Sequence, residues 1–157
     1  MISSLRPYLP KDFETLFAID QACYPRGIAY SRRMLRDFLS FSESDCIVAE
    51  SGAETSNELA GFILTEAEAA RGHIITIDVL EQFRRAGLGT RLLLAAEVRL
   101  SARGVRQVEL ETATNNEPAI AFWLKHGYRT RGSYKRYYLG RVDALAMLKA
   151  LVPPKES

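Results

Sequence analysis

Hydrophobic and polar residues follow two different periods along this chain. After Asp12, a favourable N-cap, apolar residues recur every three to four positions and predict a helix over residues 12–22. Pro25 and Gly27 then predict a loop rich in aromatic side chains. Ser31 favours the N-cap of a second short helix. The predicted end of that helix is Leu39, and its predicted apolar face contains Met34, Leu35 and Phe38.

The middle of the chain changes to β-branched and apolar runs. Residues 45–50 and 59–65 predict the two strands of a hairpin, joined by a polar turn at 51–57. A further turn is predicted at 67–72. Residues 73–79 are apolar almost throughout, which predicts a strand that is covered on both faces.

Helices and strands alternate in the second half. A turn with two glycines, residues 84–90, leads into an amphipathic helix that Gly104 ends at the C′ position. Residues 105–112 alternate apolar and acidic side chains. They predict a strand that carries Glu109 and Glu111 on its polar face.

A fourth helix follows. Asn115 or Asn116 is its predicted N-cap, and Gly127 stops it. The predicted inner face contains Ile120, Trp123 and Leu124. The tail predicts strands, although local propensity over 142–151 favours helix. This order predicts an α/β chain with a mixed sheet and helices on its faces.

Composition narrows the class of protein. The chain has 157 residues, 47% hydrophobic and 25% charged, which is typical of one globular domain. A net charge of +2 is too small to indicate a nucleic-acid partner. Cys23 and Cys46 form no disulfide framework, and His73 and His126 are too far apart in sequence to indicate a metal site. With neither a secretory signal nor an apolar run of roughly 18 residues, we expect a cytoplasmic protein without a membrane span.

The glycine turn is the first candidate for chemistry. A strand that enters a helix through glycines leaves several N–H groups unpaired, and these can bind an anion such as a pyrophosphate. Gly87 and Gly89 would let the phosphates approach without a Cβ in the way. Arg84, Arg85 and Arg91 add positive charge.

Other interpretations of this turn stay open. A dinucleotide-binding fingerprint needs a third glycine where Leu92 stands, and an ATP-binding P-loop needs a lysine where Thr90 stands. The glycines could also serve only close packing at the helix start. A nucleotide-binding module is therefore a weaker alternative.

Two motifs resemble one known family. Arg84-x-x-Gly87-x-Gly89 resembles the acyl-CoA pyrophosphate motif of the GNAT superfamily of acyl-CoA N-acyltransferases, Arg/Gln-x-x-Gly-x-Gly/Ala. Residues 110–128 are similar to that family's Leu-Glu-Val-x-x-x-Asn-x-x-Ala-Ile-x-x-Tyr…Gly-Phe segment. The identical positions are Leu110, Glu111, Asn116, Ala119, Ile120 and Gly127. The pair of motifs most resembles the RimI-like ribosomal-protein and N-terminal acetyltransferases.

The resemblance implies a single N-acetyltransferase domain over residues 1–157, with a splayed, mostly antiparallel sheet. It also implies acetyl-CoA between strands 73–79 and 105–112, with no metal. Main-chain groups of 77–79 would pair with the pantetheine arm, and N–H groups of 85–90 would hold the pyrophosphate. The implied cofactor-binding residues are Ile77, Asp78, Val79, Arg84, Arg85, Ala86, Gly87, Leu88, Gly89, Thr90, Asn116, Ala119 and Trp123.

Acyl transfer to an amine needs a base, because an ammonium group has no lone pair. Glu111 is the first candidate, and the resemblance places a RimI-like base at its position. His73 is the second, since it opens the strand predicted to run beside Glu111. Either residue could instead be structural. The N–H of Val79 or Leu80 would donate to the thioester carbonyl. Asp78 should face away from His73 and be buried and paired.

The chain departs from the family pattern at Trp123, where relatives place a tyrosine that protonates the thiolate. An indole N–H donates hydrogen bonds but does not lose its proton near neutral pH. Trp123 could therefore shape the thiol pocket only, and Tyr138 becomes the candidate acid. A second departure is Leu80-Glu81, where relatives have Asp-Pro. The implied substrate-binding residues are Tyr24, Tyr30, Tyr137 and Tyr138.

These residues predict an acetyl-CoA-dependent N-acetyltransferase in which the amine attacks directly in a ternary complex. A peptide or protein α-amine is the leading acceptor, and a small-molecule amine or a lysine side chain is the alternative. Trp123 also motivates a different class of function, a catalytically silent acyl-CoA-binding sensor. We expect no nucleic-acid or membrane partner, and either a monomer or a homodimer.

Overall fold

The computed structural model describes residues 4–52 and 58–152, and within them the strands form one sheet of seven. The strands are β1 (Ser4–Pro7), β2 (Ser44–Glu50), β3 (Leu59–Glu68), β4 (Arg71–Val79), β5 (Gln107–Ala113), β6 (Arg129–Tyr138) and β7 (Val142–Ala150). The helices are α1 (Phe13–Cys23), α2 (Arg32–Ser40), α3 (Leu88–Ala102) and α4 (Glu117–Lys125), with 3₁₀ turns at Pro10–Asp12 and Glu81–Phe83.

The sheet has the order β1-β2-β3-β4-β5-β7-β6, and every neighbouring pair is antiparallel except β4 and β5. The parallel pair is short, because only Arg71–His73 pairs with Gln107–Glu109. Beyond His73 the two strands separate and leave a gap, here called the cleft. The predicted mixed α/β sheet, mostly antiparallel and splayed at its centre, is confirmed.

Two hydrophobic cores lie on opposite faces of the sheet. One contains side chains of α3 and α4, among them Leu92 and Trp123. The other contains side chains of α1 and α2, among them Leu16 and Leu35, packed with Phe62 of β3. The sheet is thus covered on both sides, and helix ends and loops surround the cleft.

Local capping and turn residues determine several of these elements. Ser31 caps α2, since its Oγ accepts the Met34 N–H at 3.2 Å. Gly104 ends α3 with φ 93°, and the N–H of Val105 returns to Leu100 O at 3.1 Å. Asn116, one of the two predicted caps, is the N-cap of α4.

The turns and strand ends differ more. The turn predicted at 67–72 shrinks to Ala69 and Ala70, because β3 and β4 both extend into it. The two faces of β4 are unequally covered: Ile74, Thr76 and Asp78 are buried while the residues between them are half-buried. Residues 53–57 of the turn predicted at 51–57 lie outside the described residues.

Residues 142–150, within the predicted tail of strands, form strand β7 despite a local propensity for helix, because pairing with β5 and β6 on both sides outweighs that propensity. Other predictions were incomplete or wrong. Strand β1 was not predicted. Met34 and Leu124 are 48% and 44% exposed, so neither lies on an inner face. The Asp12 carboxylate binds Arg6 and the Leu9 N–H instead of capping α1.

Within the described ranges, no helix is long and apolar enough to cross a bilayer.

Candidate active site

The glycine turn, residues 84–90, joins β4 to α3 at one end of the cleft. Arg85 and Gly87 have left-handed conformations, with φ of 68° and 79°. The N–H of Arg91 makes the first hydrogen bond inside α3, to Gly87 O at 3.0 Å, so the N–H groups before it have no partner within the helix. Alternating left-handed residues before a helix start form an anion-binding nest. A left-handed residue other than glycine costs about 1 kcal/mol, and such strain concentrates at functional sites.

The two glycines of the turn, Gly87 and Gly89, have different backbone conformations and surroundings. Gly87 needs its positive φ, and a Cβ there would point into open space. A Cβ on Gly89 would lie 3.4 Å from the Phe122 ring of α4. That distance is an ordinary van der Waals contact, so a methyl group would fit and close packing alone does not account for Gly89. The remaining predicted residues, Arg84, Arg85, Ala86, Leu88 and Thr90, lie in the same turn and first helical turn.

The free edge of β4 forms one wall of the cleft. Leu80 N–H donates to Ala60 O on β3 at 2.9 Å. Because main-chain groups alternate in direction along an antiparallel strand, those of Ile77 and Val79 point away from β3 into the cleft. Asp78 instead turns its main chain toward β3 and buries its carboxyl. The expectation that Asp78 pairs with a cofactor was therefore wrong, and of the two predicted carbonyl donors only the Val79 N–H faces the cleft.

Side chains already occupy the carbonyls on this edge. Tyr24 Oη donates to Ile77 O at 3.2 Å, and Tyr30 Oη donates to Ile75 O at 3.2 Å. Arg84 Nε donates to Val79 O at 2.7 Å. The loop between α1 and α2, residues 24–31, thus lies along the edge of β4, and a ligand extended along this strand has to use N–H groups or displace those contacts.

His73 and Glu111 meet where β4 and β5 separate. His73 Nε2 lies 3.0 Å from Glu111 Oε1, as their predicted strand neighbourhood required. On the other side of the ring, Nδ1 lies 3.4 Å from Glu66 Oε1 on β3. Burial lowers the pKa of His73, but hydrogen bonds and charges of Glu111 and then Glu66 outweigh it, so the pKa is raised overall. The imidazole therefore holds its proton to a higher pH than a free histidine.

Tyrosines cover this pair from the β6–β7 hairpin. Burial, then the charge and hydrogen bonding of Glu111, raises the pKa of Tyr137. Burial also raises the pKa of Tyr138, with Tyr137 and Glu111 contributing. Both phenols are thus proton donors at neutral pH, not phenolates. The hairpin turn meets the α1–α2 loop, because Gly27, with φ 92°, makes room for the Leu139 side chain.

The start of α4 places two further predicted residues. Asn116 Oδ1 accepts the Ala119 N–H at 3.2 Å, so the helix cap uses the amide oxygen, and the NH₂ group is the donor that this side chain can offer a ligand. Trp123 is 5% exposed and packs edge-on against Tyr128, with ring centroids 5.3 Å apart. Trp123 is therefore a core residue, and the expectation that it shapes an open thiol pocket is not supported by its burial.

Sequence reasoning missed two contacts. Glu66 stands opposite His73 in the β3–β4 register, which could have been found only by aligning the two strands of that hairpin. Thr90 Oγ1 lies 3.0 Å from His126 Nε2, which ties the start of α3 to the end of α4. In the part of the chain that the structure describes, no group of three or more His, Cys, Asp or Glu is arranged to hold a metal ion.

Known proteins are similar to this chain in sequence and in fold. A family model described as Acetyltransferase (GNAT) family matches residues 13–128. The chain is 32% identical over 112 residues to an N-alpha-acetyltransferase of Sulfurisphaera tokodaii, covering 63% of this chain and 67% of that protein. Its fold is similar to that of the ribosomal-protein-S18-alanine N-acetyltransferase from Escherichia coli, with TM-score 0.85, 21% identity and 99% and 98% of the two chains covered. It is also similar to Arabidopsis thaliana NAA60 in complex with acetyl-CoA, with TM-score 0.83, 20% identity and 96% and 99% covered.

Proposed function

The chain belongs to the GNAT family of acetyltransferases, and from that premise we propose that it transfers the acetyl group of acetyl-CoA to the N-terminal α-amine of a peptide or protein. The relative named N-alpha-acetyltransferase supports this acceptor over a small-molecule amine or a lysine side chain. The observation that carries the proposal is the 3.0 Å contact between His73 Nε2 and Glu111 Oε1 at the point where β4 and β5 separate.

The donor is proposed to bind along the cleft. N–H groups of the glycine turn hold the diphosphate, and Arg85 and Arg91 add positive charge beside it. The N–H group of Ile77 pairs with the pantetheine arm, and the NH₂ group of Asn116 bonds near its end. Acetyl-CoA supplies an acyl thioester, whose carbonyl oxygen would accept a hydrogen bond from Val79 N–H.

The acceptor amine arrives as an ammonium group and has to lose a proton before it forms the amide bond. Glu111 accepts this proton directly or through water, and His73 shares the added charge because its ring bonds the same carboxylate. The neutral amine then attacks the thioester carbonyl, and as the carbon–sulfur bond breaks, Tyr138 donates its phenolic proton to the departing sulfur. The second proton that the nitrogen loses as the amide forms returns through water to Tyr138. Tyr24, Tyr30 and Tyr137 line the acceptor side, where the two loops meet.

The proposal also covers domain organisation, cellular location and oligomeric state. We infer one N-acetyltransferase domain, since a single sheet connects the described residues from β1 to β7. A cytoplasmic location is proposed on the unpaired cysteines, Cys23 and Cys46, which suit a reducing compartment. A monomer or homodimer, acting without a nucleic-acid or membrane partner, completes the proposal.

Release of free thiol from acetyl-CoA tests the function. Peptides with free α-amines are compared with the same peptides blocked at the α-amine but carrying lysine, and with small amines. We expect turnover that depends on the free α-amine. Glu111→Gln is expected to lower kcat by a factor of about 100 or more with unchanged acetyl-CoA affinity.

Glu109→Gln is the matched control, because Glu109 lies on the same face of β5 but pairs with Arg131. Binding of acetyl-CoA without thiol release for any amine would favour the silent sensor and contradict the proposal.

A further inference from the structure

Two carboxyls that the proposed reaction does not use, those of Asp20 and Asp78, interact with each other in the interior. Asp20 of α1 is fully buried, and Asp78 of β4 is 1% exposed. One oxygen of each, Asp20 Oδ1 and Asp78 Oδ2, is buried without a hydrogen-bond donor among the described residues. None of the salt bridges in the described ranges involves either carboxyl. Two adjacent buried carboxylates without a cation could not both stay ionised at low cost.

The other two oxygens of the pair hold the α1–α2 loop. Asp20 Oδ2 accepts the Tyr30 N–H at 2.7 Å. Asp78 Oδ1 accepts the Thr76 hydroxyl at 2.5 Å, and Thr76 Oγ1 lies 3.3 Å from Tyr24 Oη. Tyr24 and Tyr30 are the residues whose hydroxyls cap the free carbonyls of β4. The pair is therefore linked to both ends of the loop at the acceptor side of the cleft.

We propose that Asp20 and Asp78 share a single proton and that this pair is a positioning element that fixes the α1–α2 loop, with Tyr24 and Tyr30, against β4. Its role in acceptor binding rests on the proposed function. Its shared proton does not, since that is a property of the folded chain alone.

The groups around the pair agree with this assignment. Burial raises the pKa of Asp78, and hydrogen bonding and charge of Asp20 raise it further, while hydrogen bonds of Thr76 and Tyr24 oppose the shift. Burial, with the Asp78 charge contributing, raises the pKa of Cys23 to about 11 and also that of Tyr24.

Two more neighbours behave in the same way, because burial chiefly raises the pKa values of Tyr30 and of Cys46 on β2. Arg84 is the charged group that approaches from the glycine turn, and it bonds Val79 O and Cys23 Sγ. The thiols and phenols around the carboxyl pair therefore hold their protons more tightly than the free groups do.

A shared proton has a defined effect on stability. The pKa of Asp78 is raised in the folded state, so its favourable contribution is complete below the ordinary Asp pKa and is lost as pH rises toward the folded value. For one proton, the unfolding equilibrium constant rises by up to tenfold per pH unit in that window.

Asp78→Asn tests the shared proton without acetylation. The amide keeps the shape, accepts from Thr76 and donates permanently to Asp20. Denaturant unfolding is measured at a series of pH values from 5 upward. In Asp78→Asn, we expect the unfolding equilibrium constant to lose the rise of up to tenfold per pH unit that the shared proton causes in the wild-type protein. Asp37→Asn, on the exposed face of α2, is the matched control and should keep the wild-type slope. A wild-type slope in Asp78→Asn would overturn the proposal.

The positioning role is tested with acceptor peptide. Asp78→Asn should keep acceptor KM within about threefold of wild type, whereas Asp78→Leu should raise it at least tenfold with an unchanged Kd for acetyl-CoA. Thr76→Val, which removes one donor and no carboxyl, should raise acceptor KM severalfold and serves if Asp78→Leu does not fold. An equal loss of acetyl-CoA affinity, or an unchanged acceptor KM in Thr76→Val, would overturn the positioning role. If wild type acetylates no peptide, the proposed function fails while the unfolding slope still decides on the shared proton.

Discussion

Glu66→Gln removes one of the two carboxylates that flank His73 and leaves Glu111 in place. Glu66 Oε1 lies 3.4 Å from Nδ1, but the two side chains are 35% and 36% exposed, so solvent weakens their interaction. Exposed pairs of this kind contribute about 0.2–1 kcal/mol. Since one pKa unit corresponds to about 1.4 kcal/mol, the pKa of His73 should fall by about half a unit.

Loss of the negative charge of Glu66 lowers the pKa of His73. The protonated imidazole loses a stabilising neighbour, so it gives up its proton at lower pH. If transfer requires unprotonated His73 beside Glu111, then kcat/KM for acceptor rises with pH and its midpoint reports this pKa. In Glu66→Gln, the midpoint of the kcat/KM profile against pH should therefore lie about half a pH unit below that of wild type, and kcat/KM should reach the same plateau. The stability from the charged His73 pair behaves alike: it is present at low pH and is lost as pH rises through the raised pKa.

The assay is thiol release from acetyl-CoA at subsaturating peptide, measured from pH 5 to 9. Glu68→Gln is the matched control, because Glu68 lies two residues further along β3 and is exposed. It should leave the midpoint unchanged. A midpoint that stays or moves upward in Glu66→Gln would refute the role assigned to Glu66. A fall in the plateau would make Glu66 part of the reaction itself.

Three further changes address the remaining residues. Tyr138→Phe should lower kcat by a factor of about 100 with unchanged acetyl-CoA affinity. Tyr134→Phe, on the exposed part of β6, is the control and should keep the wild-type kcat. Wild-type turnover in Tyr138→Phe would assign the acid role to another group. Gly89→Val should abolish acetyl-CoA binding measured by calorimetry and should also lower the Tm, because the new side chain meets the Phe122 ring. Gly87→Ala meets no neighbour, and its strained φ should weaken binding about fivefold. Normal affinity in Gly89→Val would refute the placement of the diphosphate. Glu97→Ala should destabilise the fold by about 2 kcal/mol in denaturant unfolding, because it leaves buried Tyr128 Oη and Lys149 Nζ without their shared acceptor; an unchanged midpoint would show that water replaces it.

The proximity of His73 and Glu111 could be predicted because each residue has a place on a strand that the sequence pattern defines. Alternation along 105–112 puts Glu111 on the polar face, and the helix between the two strands requires a parallel crossover that brings them side by side. Glu66 could not be found in this way, since its contact depends on the register and the bulge of the β3–β4 hairpin.

The residues whose roles changed share one property, a dependence on what packs against them. Asp78 is a polar residue in an apolar strand, and only the bond from Leu80 to Ala60 shows that its main chain faces β3. Trp123 stands at a catalytic position of the motif, but it packs edge-on against the ring of Tyr128 in the core.

By itself, the sequence determined the order of helices and strands from α1 to α4, the glycine turn, and the polar face that carries Glu111. These depend on periodicity, caps and turn residues, which act over a few neighbouring positions. The tertiary structure alone decided that 142–150 is a strand, that Glu66 joins His73, and that Asp20 meets Asp78. Each of these depends on burial and on partners distant in the chain, and the free energy of pairing and desolvation there exceeds any local preference.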